Sequence, residues 1–110
     1  MSSLKIKSNL WIENDKGPVM GPGKKKLLEA IQETGSIKLA AIAMKMSYRH
    51  AWEMTNSLNK VSAKPIIEKV TGGVNGGGTK VTKEGERLIA TYEKIVKEFE
   101  KFKTKMNKII

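Results

Sequence analysis

Residues 35–60 read GSIKLAAIAMKMSYRHAWEMTNSLNK, and the punctuation of this stretch decides the fold. Gly35 takes the left-handed conformation without a steric cost, so it closes a preceding helix. Ser36 beside it carries the side-chain oxygen that caps the next one. Ile37, Ala40, Ala41 and Met44 then recur at helical spacing, which predicts a helix to about residue 45. Ser47 is a second N-cap and opens a third helix over about 48–59, with Ala51, Trp52, Thr55 and Leu58 as its inward set. Ala40 and Ala41 are small enough to let two helices approach closely. Two capped helices across a tight turn make a helix-turn-helix.

Upstream, Pro22-Gly23 is a helix entrance, with Pro tolerated at the first helical position. Leu27, Leu28 and Ile31 give that helix an apolar face that ends at Thr34-Gly35. Before it, Leu4, Ile6, Leu10 and Ile12 share one parity, the period of a half-buried strand over 4–12. Residues 13–17 turn, and 18–20 return as a short second strand. Trp11, on the opposite parity, either caps the next helix or meets a partner subunit.

Downstream, residues 64–70 begin a strand with Pro65 confined to its start. The segment 71–80 holds five glycines in ten residues and predicts an exposed, permissive loop. Val81 resumes a strand, and Thr82 caps a long helix from Lys83 that tolerates Gly85 in its first turn. The order strand, three helices, strand, glycine loop, strand, helix is that of a winged helix-turn-helix, mostly α with a β-hairpin wing. The first strand either joins the wing sheet or forms its own hairpin.

In the last helix Leu88, Tyr92, Ile95, Phe99, Phe102, Met106 and Ile109 are spaced 4, 3, 4, 3, 4 and 3. That is the pattern of a coiled-coil seam. Ile89 and Val96 widen the stripe near the domain, so the first turns pack on the core and the helix projects from Phe99 onward. An aromatic seam left bare is an aggregation liability, so the expectation is a homodimer. The predicted organisation is a DNA-binding domain over 1–86 with the dimerisation helix over 83–110.

The chain carries 21 Lys+Arg against 11 Asp+Glu, a net charge of +10, which favours a polyanionic partner. Cysteine is absent, and there is neither an 18-residue apolar run nor a signal-peptide core, so a cytoplasmic or nucleoid protein with no membrane partner is expected. His50 is the single histidine and without cysteine cannot build a structural zinc site. The glycine run lacks the Gly-x-x-x-x-Gly-Lys-Ser/Thr spacing that cradles nucleotide phosphates. No carboxylate pair, Ser/His/Asp set or metal spacing appears, so no catalytic residue, metal or cofactor is assigned and an enzyme is not expected.

The segment from Gly35-Ser36-Ile37 through Ala40-Ala41, then Ser47-Tyr48-Arg49-His50-Ala51-Trp52, Leu58-Asn59, the glycine run and Val81-Thr82-Lys83-Glu84-Gly85 resembles the N-terminal DNA-binding domain of the ModE family. These are molybdate-responsive regulators whose DNA-binding part is related to the LysR type. The resemblance covers about residues 22–95. It implies that Ser47, Tyr48 and Arg49 meet DNA at the entrance of the recognition helix and that 71–80 is the wing. Arg49 stands where the family usually has Lys, which keeps the charge and adds bidentate capacity. The family's C-terminal molybdate-binding domains have no counterpart in these 110 residues, so molybdate sensing is not carried over and any effector is unassigned.

The candidate double-stranded DNA contacts are therefore Ser47, Tyr48, Arg49, His50, Asn56, Lys64, Lys69, Thr71 and Lys80. For Arg49 and the lysines the plain alternative is a solvated charge, for Tyr48 core packing, and for Ser47 a cap and nothing more. Trp52 is assigned to the core. The candidate dimerisation residues are Leu88, Tyr92, Ile95, Phe99, Phe102 and Met106. Three functions follow: a sequence-specific transcriptional regulator, an architectural protein that coats DNA with little sequence preference, and an adaptor working through the terminal helix.

Overall fold

The computed structural model describes residues 3–71 and 77–110, and its helices begin and end at their caps. Helix α1 spans Pro22–Thr34 and stops at Gly35, whose φ of 72° lets its N–H reach back to the Ile31 carbonyl at 2.7 Å. Helix α2 spans Ile37–Ala43, with Ser36 Oγ accepting from the Leu39 N–H at 3.1 Å. Helix α3 spans Tyr48–Val61, with Ser47 Oγ accepting from the His50 N–H at 3.0 Å. The predicted helix-turn-helix is therefore present, built on local capping chemistry.

The turn between α2 and α3 passes through Lys45 at φ 57°, a left-handed conformation in a residue with a Cβ. That conformation costs an L residue roughly 1–2 kcal/mol, against roughly 0.5–1 kcal/mol for the extra unfolded-state freedom of Gly. Lys45→Gly should thus raise the unfolding free energy by about 0.5–1 kcal/mol. Urea denaturation checks this, and a midpoint below that of the wild type would show that the Lys45 side chain supports the turn.

Two separate antiparallel hairpins flank the helices. Strands β1 (Ile12–Asn14) and β2 (Gly17–Met20) form the first, and β3 (Ile67–Thr71) and β4 (Gly77–Val81) the second. The second is the wing, in register Ile67↔Val81, Lys69↔Thr79 and Thr71↔Gly77. Residues 77–80, expected in the glycine loop, belong to β4, and the rest of that loop, 72–76, lies outside the described residues. Strand β4 runs against the α1–α2 turn: Thr79 donates to the Gly35 carbonyl at 2.9 Å, and a Cβ on Gly78 would stand 2.6 Å from the same oxygen.

The expected strand over 4–12 is corrected, since only Ile12 pairs. Alternation alone makes no strand where no edge is offered. Residues 4–11 run along the final helix, α4 (Lys83–Asn107), and bond to it instead. Tyr92 donates to the Leu10 carbonyl at 2.6 Å, Lys103 to Ser8 Oγ at 3.3 Å, and the Ile6 N–H to Asn107 Oδ1 at 2.7 Å.

Met20, Leu27, Leu28, Ile31, Ala40, Ala41, Ala51, Leu58, Ile66, Ile67, Val81, Ile89 and Tyr92 form one core among α1–α4 and the two hairpins. Burial along α4 falls with distance from that core. Tyr92 is buried and Leu88 and Ile95 half-buried, while Phe99 and Phe102 are half-exposed or more and Ile109 is largely exposed. Trp52 is a second correction, because its side chain is 44% exposed. Ala51, Thr55 and Leu58 already fill the inward arc of α3, against an α2 brought close by Ala40 and Ala41. Trp52 sits 100° around the helix from Ala51, and that rotation carries the indole out of the core toward the wing.

Candidate nucleic-acid interface

The outward arc of α3 opposes the buried Ala51–Thr55–Leu58 line and carries Arg49, Glu53, Asn56, Ser57 and Lys60. The Arg49 side chain is 88% exposed, and its Nε donates to Glu53 Oε1 at 3.1 Å one turn later. An exposed i,i+4 pair contributes about 0.3–0.5 kcal/mol, which a phosphate or a guanine edge easily outcompetes. The pair therefore orients the guanidinium without holding it back. Glu53 is an acceptor on the same arc that the sequence reading left without a role.

Tyr48, Trp52, Asn56 and Asn59 form a second row, one helical turn apart, on the flank facing the wing. Tyr48 is exposed and Asn56 half-exposed. His50 is two residues from Tyr48 and from Trp52, about 200° around the helix, and so looks away from the wing. Ser47 is occupied as the cap of α3.

Asn59 fixes the angle between helix and wing. Its Oδ1 accepts from the Ile66 N–H at 2.9 Å and the Ile67 N–H at 3.1 Å, and its Nδ2 donates to the Ile67 carbonyl at 2.9 Å. One side chain thus satisfies three backbone groups at the start of β3. No pattern in the sequence announces this role, because a lone Asn late in a helix reads as surface.

Strand geometry sorts the wing residues. Successive side chains face opposite sides, and Lys69 and Thr79, paired across the hairpin, look into the groove beside α3. Glu68 and Lys80 pair on the other side and are joined by an ion pair at 3.2 Å. Lys69 therefore stands with the recognition helix and Lys80 does not. Thr71 is exposed at the outer end of β3, and Lys64 is exposed in the connection between α3 and the wing. The structure assembles Tyr48, Arg49, Asn56 and Lys69 into one surface with Trp52 and Glu53. His50 and Lys80 lie on its margins.

Among the described residues there is no group of three His, Cys, Asp or Glu that could hold a metal ion, and no helix long and apolar enough to cross a membrane.

No family model matches the chain. The transcriptional regulator ModE of Haemophilus influenzae is 40% identical over 91 residues, covering 83% of this chain and 32% of its own length. The molybdenum transport protein ModE of Azotobacter vinelandii is 32% identical over 100 residues, 91% of this chain and 37% of its own. The DNA-binding transcriptional dual regulator ModE of Escherichia coli is 36% identical over 91 residues, 83% of this chain and 32% of its own. The chain spans about a third of the length of the curated relatives it matches.

Proposed function

The chain is homologous to the N-terminal region of the ModE family of regulators, and from that premise we propose that it binds double-stranded DNA sequence-specifically, as a homodimer, to regulate transcription. The observation that carries the reading is the pairing of an exposed polar face on α3 with a wing fixed beside it by Asn59. Tyr48, Arg49 and Asn56 enter the major groove, where Arg49 reaches a guanine edge or a phosphate and Asn56 an adenine edge. Ser47 presents the first amides of α3 to a phosphate. Lys64, Lys69, Thr71 and Lys80 meet the backbone, and His50 sits at the edge of the footprint. These contacts position the protein, and the α3 face supplies the sequence information.

The organisation that goes with this role is a winged domain over 1–86 joined to a dimerisation helix over 83–110. Tyr92, with Leu88 packed beside it, roots that helix in the core, and Ile95, Phe99, Phe102 and Met106 supply the outer seam. Two recognition helices then face half-sites related by a two-fold axis. Nothing in the chain is assigned to a cofactor.

The test is affinity for the protein's own promoter and for unrelated DNA across several salt concentrations. A regulator of this kind keeps a preference of about a thousandfold at physiological salt. Binding of every sequence within a few-fold, with a steep salt dependence, would replace this reading with the architectural one. Phe99→Asp with Phe102→Asp should yield a folded monomer in light scattering, and a wild-type chain that is itself monomeric would remove the dimer from the proposal.

A further inference from the structure

Trp52 is a large aromatic residue that the fold leaves in the open on the functional face. The chain has two tryptophans, both about half-exposed, and they differ in one respect. The indole N–H of Trp11 is taken by Glu13 Oε1 at 2.7 Å, whereas that of Trp52 has no acceptor among the described residues. Its ring forms one wall of a groove of about 290 Å³ between α3 and the wing, lined also by Ile37, Thr55, Asn56, Lys69 and Thr79. Ile37, Ile67 and the Trp52 ring give it apolar surface. The rim holds an indole N–H, a carboxamide, a hydroxyl and an ammonium that makes no ion pair among the described residues.

A duplex that takes α3 in its major groove and meets the wing at the neighbouring groove has one strand between the two contacts. We propose that the groove holds one sugar–phosphate strand of double-stranded DNA, with the Trp52 ring against a deoxyribose and its N–H, with Lys69, on the adjoining phosphate. The proposal rests on the DNA-binding reading above and gives it a residue the sequence had consigned to the core. Charge complementarity selects the occupant: the apolar surface of Ile37, Ile67 and the Trp52 ring suits the sugar face, and the Lys69 ammonium with the donors beside it suits the phosphodiester. Because sugar and phosphate are the same at every step, this contact adds affinity and carries no sequence information.

The experiment uses the full chain with Trp11→Phe, which leaves Trp52 as the only fluorophore of its kind. On saturation with a cognate duplex, acrylamide quenching of Trp52 should fall about threefold. Trp52→Ala should weaken binding about tenfold, through loss of one hydrogen bond to phosphate together with the ring's contact against the sugar, and equally on cognate and unrelated DNA. The salt slope should stay as in the parent, whereas Lys69→Gln should reduce it by about one. Trp52→Phe keeps a ring and removes the N–H, so it should lose about threefold, and it serves as the test if Trp52→Ala does not fold. Affinities within twofold of the parent for both Trp52 variants, unchanged quenching in the complex, or a loss confined to the cognate sequence would each overturn the proposal. A Trp11→Phe parent that binds no duplex would instead defeat the DNA-binding reading itself.

Discussion

Gly85→Ala should destabilise the protein by about 1–2 kcal/mol, although a helix-propensity argument gives the opposite sign. Ala is favoured over Gly in a helix by about 0.8–1.0 kcal/mol, and Gly85 lies in the first turn of α4. Its surroundings reverse the balance. A Cβ there would stand 2.5 Å from Val81 Cγ1 and 2.6 Å from the Ile66 carbonyl oxygen. Neither neighbour can yield cheaply. Val81 is buried and β-branched, and the Ile66 oxygen accepts the Thr82 N–H at 2.9 Å and its hydroxyl at 3.2 Å. Thr82 also donates to the Pro65 carbonyl at 2.7 Å and caps α4 through the Gly85 N–H at 3.1 Å. Overpacking a tight site costs about 1–3 kcal/mol, occasionally more, and here it also pulls at this capping cluster. Thermal unfolding should show the midpoint lowered by roughly 4–16 °C, on the usual 4–8 °C per kcal/mol for a domain near this size. A variant that melts at or above the wild-type temperature would mean that the base of the wing and α4 separate more easily than their contact implies.

Asn59→Ala should cost about 3 kcal/mol and loosen the wing before it unfolds the rest. The substitution strips partners from two backbone N–H groups and one carbonyl, all at Ile66 and Ile67, which are 2% and 6% exposed. A buried polar group left unpaired costs about 1–3 kcal/mol, and water reaches these positions only by opening the start of β3. Asn59→Asp keeps the acceptor, loses the donor and adds a charge, so it should fall between Ala and the wild type at neutral pH. Hydrogen exchange resolves the local effect: the Ile66 and Ile67 amides should exchange faster in Asn59→Ala while those of α1 stay slow at equal denaturant margin. DNA affinity should drop as well, since the wing no longer holds its angle to α3. Unchanged exchange at both amides would show that the strand is held by the β3–β4 ladder and not by the side chain.

The helix ends were legible in the sequence because their chemistry is local. Gly35, Ser36, Ser47 and Thr82 act on residues within four positions of themselves, and each does what its type predicts. The readings that failed depended on space and not on pattern. Trp52 obeys inward spacing, yet Ala51, Thr55 and Leu58 fill the inward arc, and the indole lies exposed on the flank beside the wing. Residues 4–11 alternate like a strand but meet the side of a helix rather than a sheet edge. Gly77 and Gly78 read as loop and are strand, paired with Thr71 and Val70, and Gly78 lies where a Cβ would meet the Gly35 carbonyl. Of the site, the recognition helix and the wing could be located in advance. The Asn59 anchor could not, since its partners are backbone atoms whose identity leaves no trace in composition or period.

The contact between Gly35 and β4 also bears on the order in which the molecule assembles. Helices α1 and α2 meet their own turn through contacts close in the chain, whereas the Thr79 N–H must find the Gly35 carbonyl across nearly half the sequence. Closing that long loop is unfavourable until the turn exists to receive it. The wing is therefore expected to dock onto an α1–α2 turn already in place. Substitutions in it will act mainly on how fast the native state opens, and those in the α1–α2 turn on how fast it forms.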